Sequence, residues 1–322
     1  MHSRWTVWAL PLLAAGLLSG QTSAQRRLVA TGDEIAFPSL AGHIPRWTSG
    51  RLVGCDECQS GAPVLWSVDR QGKREDVLLE VPGANYVSAW DVASGPDGAL
   101  VVVGFAISGD SRFAEFVNWI SPDRKRQVLT RVSPYSPCAV TVAPDGTIWT
   151  VGPMKDEATM RDVDSNVLRH YSPSGQLLAT TTIRSTRRFN GLANVSQAST
   201  LMASNDRIGW LTLACEYIEF SFSAVEAGRY NCPSQISDLG KAGGVALSSA
   251  NDLLIGGKPL GAGPLAPLEL DRATDTWGPV PVPDDSRVSE GVLGFDGLTL
   301  VARRPVGRLQ RLTWAQGAPA LP

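Results

Sequence analysis

The chain has 322 residues, with 29 basic against 31 acidic side chains, and 32 glycines with 22 prolines. The near balance of charge argues against a nucleic-acid surface or an electrostatic membrane surface, and the glycine and proline content points to many turns. No 15-residue stretch carries a persuasive helical period, which leaves an all-β reading.

Residues 1–24, MHSRWTVWALPLLAAGLLSGQTSA, read as a secretory signal peptide. Arg4 lies near the amino terminus, Trp5 to Leu18 is apolar, and Thr22-Ser23-Ala24 is a small-residue cleavage site. The apolar run is shorter than the ~20 residues a membrane span needs. The mature chain is expected to begin at Gln25, without a lipid anchor or membrane span, and to be secreted or periplasmic.

Two stretches set the repeat: 91–104, DVASGPDGALVVVG, and 139–152, AVTVAPDGTIWTVG. Each is a strand, a Pro-Asp-Gly turn and a second apolar strand. Proline presets the first turn dihedral and glycine supplies the positive φ of a tight hairpin. Similar inner hairpins are read at 44–54, 191–205, 244–257 and 291–303. The last five begin at 91, 139, 191, 244 and 291, in steps of 48, 52, 53 and 47. An outer hairpin follows each of the first five, at 64–81, 115–132, 167–183, 215–232 and 268–282. Four antiparallel strands repeated in about 50 residues predict a six-bladed β-propeller over residues 25–314. The sixth blade is one strand short, ending at Arg308–Trp314. Arg27-Leu28-Val29-Ala30 is expected to complete it and close the ring, removing exposed sheet edges. Residues 315–322 read as a disordered tail.

Of the five cysteines, Cys215 and Cys232 flank the blade-four outer hairpin and are expected to pair. Cys55-Asp56-Glu57-Cys58 is a C-x-x-C element; it lacks the following helix of a redox motif and the second ligand pair of a zinc site, so a loop-closing disulfide is preferred. Cys138 is the odd thiol, opening an inner strand.

The strand, P-D-G, "IWTVG" and "YSPSGQLL" pattern resembles NHL-type repeats and the gluconolactonase/regucalcin and virginiamycin B lyase propellers. That resemblance implies the six-bladed fold and a site at the inner ends of the blades. The gluconolactonase metal ligands map onto His43 of His43-Ile44-Pro45-Arg46-Trp47, Cys138, Asn190 of Asn190-Gly191-Leu192-Ala193, and Gly243. Only Asn190 is retained, so no metal or cofactor is expected. The lyase-type site needs pore histidine with glutamate, and His170 falls on an outer-hairpin strand.

Residues entering the channel form a column of His43, Trp90, Cys138, Asn190, Gly243 and Glu290, with Asp91 beside it. His43 and Glu290, on adjacent blades of a closed ring, are the acid/base candidates. His43, Trp90, Asp91, Arg187, Arg188, Asn190 and Glu290 are ligand-binding candidates, the arginines for an anionic group. The other tryptophans read as packing between blades. Residues 153–166 are expected to form the longest loop on the channel face, and Arg124-Lys125-Arg126 a solvated turn on the opposite one. The expected function is an exported, monomeric binding or interaction module, holding an unknown small molecule or protein at the channel face. The alternative is a divergent lactonase- or lyase-like enzyme working in the same channel.

Overall fold

A computed structural model describes residues 26–31, 34–36, 45–156, 158–159, 162–184, 200–212, 214–233, 242–257, 267–282, 292–304 and 308–315. Residues 1–24, read from the sequence as a signal peptide, and residues 316–322 lie outside these residues; Ala315, expected to open the tail, instead ends the last strand, paired with Arg27. The chain opens with β1 (Arg27–Ala30) and β2 (Ile35–Ala36). Blade one is β3 (Arg46–Thr48), β4 (Arg51–Asp56), β5 (Val64–Val68) and β6 (Arg74–Leu78). Blade two is β7 (Ala84–Ser94), β8 (Leu100–Ser108), β9 (Phe113–Ile120) and β10 (Gln127–Arg131). Blade three is β11 (Ala139–Val142), β12 (Ile148–Lys155), β13 (Asp162–Tyr171) and β14 (Leu177–Ile183). Blade four is β15 (Thr200–Ala203), β16 (Arg207–Leu211), β17 (Glu216–Ser221) and β18 (Glu226–Asn231). Blade five is β19 (Ala242–Leu247), β20 (Leu253–Gly257), β21 (Leu268–Asp271) and β22 (Thr276–Pro279). Blade six is β23 (Val292–Asp296), β24 (Thr299–Arg304) and β25 (Arg308–Ala315), completed by β1 in the order β1-β25-β24-β23. The fold is therefore all-β, a ring of six four-stranded antiparallel blades. Leu28 faces Trp314 and Ala30 faces Leu312, so the two ends of the chain share one sheet, as expected. Among the described residues no helix is long and apolar enough to cross a membrane.

The turns form for the reasons legible in the sequence. Asp97 Oδ1 accepts the Ala99 amide at 3.0 Å and Asp145 Oδ1 accepts the Thr147 amide at 2.9 Å, while Gly98 and Gly146 take φ of +86° and +82°. Blade one turns on Ser49-Gly50, both at positive φ, the two-residue geometry that follows strand twist.

Six apolar layers make the core, one at each seam between neighbouring blades. Because each blade is covered on both faces, the second strands read as continuous apolar runs such as Leu100–Val103, all fully buried. Trp47, Trp66, Trp149 and Trp210 are buried in these layers, as the packing reading expected. Charged pairs stitch several seams: Lys155–Glu115 between blades two and three at 2.6 Å, Arg272–Glu219 between four and five at 2.6 Å, and Arg26–Asp252 between six and five at 2.9 Å.

Four other expectations change. The inner strand of blade four is Thr200–Ala203, with its turn at Ser204–Asp206, so the hairpin read at 191–205 is displaced toward the C-terminus; residues 185–199 lie outside the described residues. Residues 153–166 are mostly strand, since β12 continues to Lys155 and β13 starts at Asp162. Blade two begins at Ala84, seven residues earlier than the hairpin read from 91. Arg124 is not simply a solvated turn residue: it folds back to the Gly98 carbonyl at 2.9 Å and to Glu75 of blade one at 3.3 Å.

Cys215 and Cys232 form a disulfide with Cα atoms 5.3 Å apart, as expected, and Cys55 pairs with Cys58. In the chain-entropy account a 17-residue loop contributes about 3 kcal/mol. Cys215→Ser is therefore expected to lower unfolding free energy by about 2–3 kcal/mol. Urea titration against the wild type checks this; an unchanged midpoint contradicts it.

Candidate functional site: the axial channel and its aromatic wall

The first strand of each blade lines the axis. In β11 and β15 these strands read Ala-Val-Thr-Val and Thr-Leu-Met-Ala, but β3 opens with a charge, Arg46. Its guanidinium spans the channel. Nε donates to the Val92 carbonyl at 3.2 Å, Nη1 to the Leu201 carbonyl at 3.0 Å, and Nη2 to the Val92 carbonyl at 3.0 Å, to the Val140 carbonyl and to Asp91 Oδ2 at 2.9 Å. These partners belong to blades two, three and four. In a ring of six, blade four faces blade one, so the side chain reaches across the axis.

Asp91 is equally committed. Oδ2 also accepts the Val140 amide at 2.7 Å, and Oδ1 accepts the Val92 amide at 2.9 Å. Burial pushes its carboxyl up to about 6, against the opposing pull of Arg46 and the two amides. On the side of the inner turns Arg46 caps a cavity of about 70 Å³ lined by Thr48, Thr141, Met202, Leu247 and Phe295. That volume suits a few waters and is far below the few hundred Å³ of a typical ligand site.

On the strand-entrance side of the plug lie the opening of β7 and the ends of β8 and β9 that pair with it and with each other. A bulge places one extra residue, Trp90, between the Ala89–Gly104 and Asp91–Val103 pairs. Gly104 is required there, because a Cβ would stand 2.0 Å from the Ser88 carbonyl oxygen. Trp90 leans on Phe105 with ring centroids 5.4 Å apart; Phe105 stacks on Tyr86 at 5.9 Å and on Phe113 at 4.7 Å. All four rings are half-buried. The Lys155 ammonium lies 4.5 Å over the Phe113 ring and holds the fully buried Glu115, which also accepts from the Ser133 hydroxyl. The arrangement is an aromatic wall with a fixed cation at its foot, suited to stacking against a flat or apolar ligand surface.

The structure brings Trp90 and Asp91 together at one bulge and separates their roles: Trp90 joins the wall, while Asp91 turns into the plug. His43, Arg187, Arg188, Asn190 and Glu290 lie outside the described residues. Cys138 is half-buried just before β11, its thiol on the Ser136 carbonyl at 3.3 Å. His170 stacks flat on Trp149 at 4.0 Å, away from the axis, where burial lowers its pKa. Among the described residues no group of three or more histidine, cysteine, aspartate or glutamate side chains gathers to hold a metal ion. Arg46 was missed, although a lone charge opening an otherwise apolar inner strand was a visible signal. Phe105 and Phe113 were missed because the hairpins read at 91–104 and 115–132 stop short of them, while β8 runs on to Ser108 and β9 starts at Phe113.

No protein family matches the chain, and no curated protein does. Among solved structures, it is similar to a protein of unknown function from Bacteroides caccae, with 13% identity, 79% of this chain and 77% of that one covered, and a TM-score of 0.46. It is also similar to the Dos1 propeller, with 10% identity, 82% of this chain and 65% of that one covered, and a TM-score of 0.48.

Proposed function

We propose that this six-bladed propeller is an exported binding module that recognises a small molecule or partner protein at its strand-entrance face. The observation that carries the reading is the half-buried cluster of Tyr86, Trp90, Phe105 and Phe113 at the strand-entrance end of blade two. Within the plug, Arg46 and Asp91 spend their hydrogen bonds on the protein itself, so the recognition chemistry of the described residues lies above them. The two disulfides fit an oxidising compartment, secreted or periplasmic. His43, Arg187, Arg188, Asn190 and Glu290 remain ligand-binding candidates from the sequence alone.

The test is to screen the purified mature protein against immobilised glycan and peptide libraries, together with Trp90→Ala, Phe105→Ala and an outer-strand control, Leu177→Ser. Binding is expected to fall roughly tenfold or more in both wall variants and to be unchanged in the control. Binding that survives both wall variants refutes the reading. Metal-dependent lactone hydrolysis lost in Glu290→Gln would replace it with the enzyme alternative.

A further inference from the structure

We propose that Arg46 is an axial bulkhead: a single side chain that seals the channel at mid-depth and serves as the missing edge partner of three other blades. The first strand of every blade has one side paired to its second strand and the other side turned toward the axis. Its axial amides and carbonyls have no ladder partner there, and buried backbone groups must be satisfied. Arg46 and Asp91 answer this for three strands at once. The guanidinium takes the carbonyls of Val92, Val140 and Leu201, and the carboxylate takes the amides of Val92 and Val140. The ion pair between them fixes both groups at one level of the axis.

Only a planar fork meets these demands. Three carbonyls on three blades and one carboxylate surround the guanidinium, and each of its nitrogens donates. A lysine ammonium is a compact point charge on a flexible stem and cannot reach blades two, three and four together. Among the described residues of the six innermost strands, Asp296 is the other charged group besides Arg46 and Asp91, and it sits at the turn end, bound to Arg70. The consequence is a divided channel. A ligand entering from the strand-entrance face stops at Arg46, and the small cavity on the turn side is a separate compartment.

Chemical rescue tests this. Arg46→Ala leaves a guanidinium-shaped gap, so the variant is expected to melt lower and its Val92 and Val140 amides to exchange faster by roughly tenfold or more. Ethylguanidinium at sub-denaturing concentration is expected to restore at least half of the lost melting temperature, ethylammonium to restore none, and Arg46→Lys to remain as unstable as Arg46→Ala. Wild-type stability in Arg46→Lys, or equal recovery with both amines, overturns the bulkhead. If Arg46→Ala does not fold, amide exchange of the wild type decides: Val92 and Val140 must rank among the slowest amides of the inner strands, and exchange as fast as the exposed Ser49 amide overturns it.

Discussion

Asp91→Ala is expected to lower unfolding free energy at pH 7 by about 3–5 kcal/mol, because it leaves the Arg46 charge unpaired in the channel and strips two amides of their acceptor. The pH dependence is a second signature. The folded carboxyl, at about 6, lies above its ordinary value of 3.8, so between those values the folded state binds the proton more tightly than the unfolded chain. The contribution of Asp91 is therefore largest below pH 4, falls as pH rises from about 4 to about 6, and is flat above; two units correspond to about 3 kcal/mol. Carboxylates held low, such as Glu75 beside Lys73, Arg51 and Arg124 and Glu226 under Arg229, work in the opposite sense and lose their stabilisation as pH falls. The difference between wild type and Asp91→Asn isolates the group. Urea unfolding at half-unit steps should show the wild type losing ground to Asp91→Asn between pH 4 and about 6. Parallel curves would show that Asp91 does not titrate in that window.

Glu115→Ala is the second large effect, a loss of about 3–5 kcal/mol. Glu115 is fully buried on β9 of blade two, and its partner Lys155 on β12 of blade three is 14% exposed, 2.6 Å away. Removing the carboxylate strands the ammonium against Phe113 and leaves the Ser133 hydroxyl without its acceptor. Replacing both partners by apolar side chains, Glu115→Leu with Lys155→Met, is expected to cost less than either single change, because no uncompensated charge remains. A double-mutant cycle in urea measures this, and a double variant less stable than Glu115→Ala contradicts it. Arg46 and Asp91 behave differently under the same treatment. Their joint removal leaves the carbonyls of Val92, Val140 and Leu201 and two amides unanswered, so the pair cannot be exchanged for hydrocarbon at little cost.

The ring, its six blades and its closure were legible in the sequence, because each depends on local chemistry repeated at a fixed spacing. Pro-Asp-Gly turns with their aspartate caps, apolar strand runs and the short sixth blade each report on their own neighbourhood. The Cys215–Cys232 pair was legible for the same reason, since one hairpin brings both ends together. What only the tertiary structure decided is where side chains from different blades meet. Arg46 bonds to residues 45 to 155 positions away, and no local pattern encodes such a distance. The bulge that separates Trp90 from Asp91 depends on the register between β7 and β8, and a one-residue shift there sends one side chain to the wall and the next to the plug. Sequence determined the blades because strand and turn propensities act locally. The folded ring decided the plug and the wall because closure alone brings four blades to one axis.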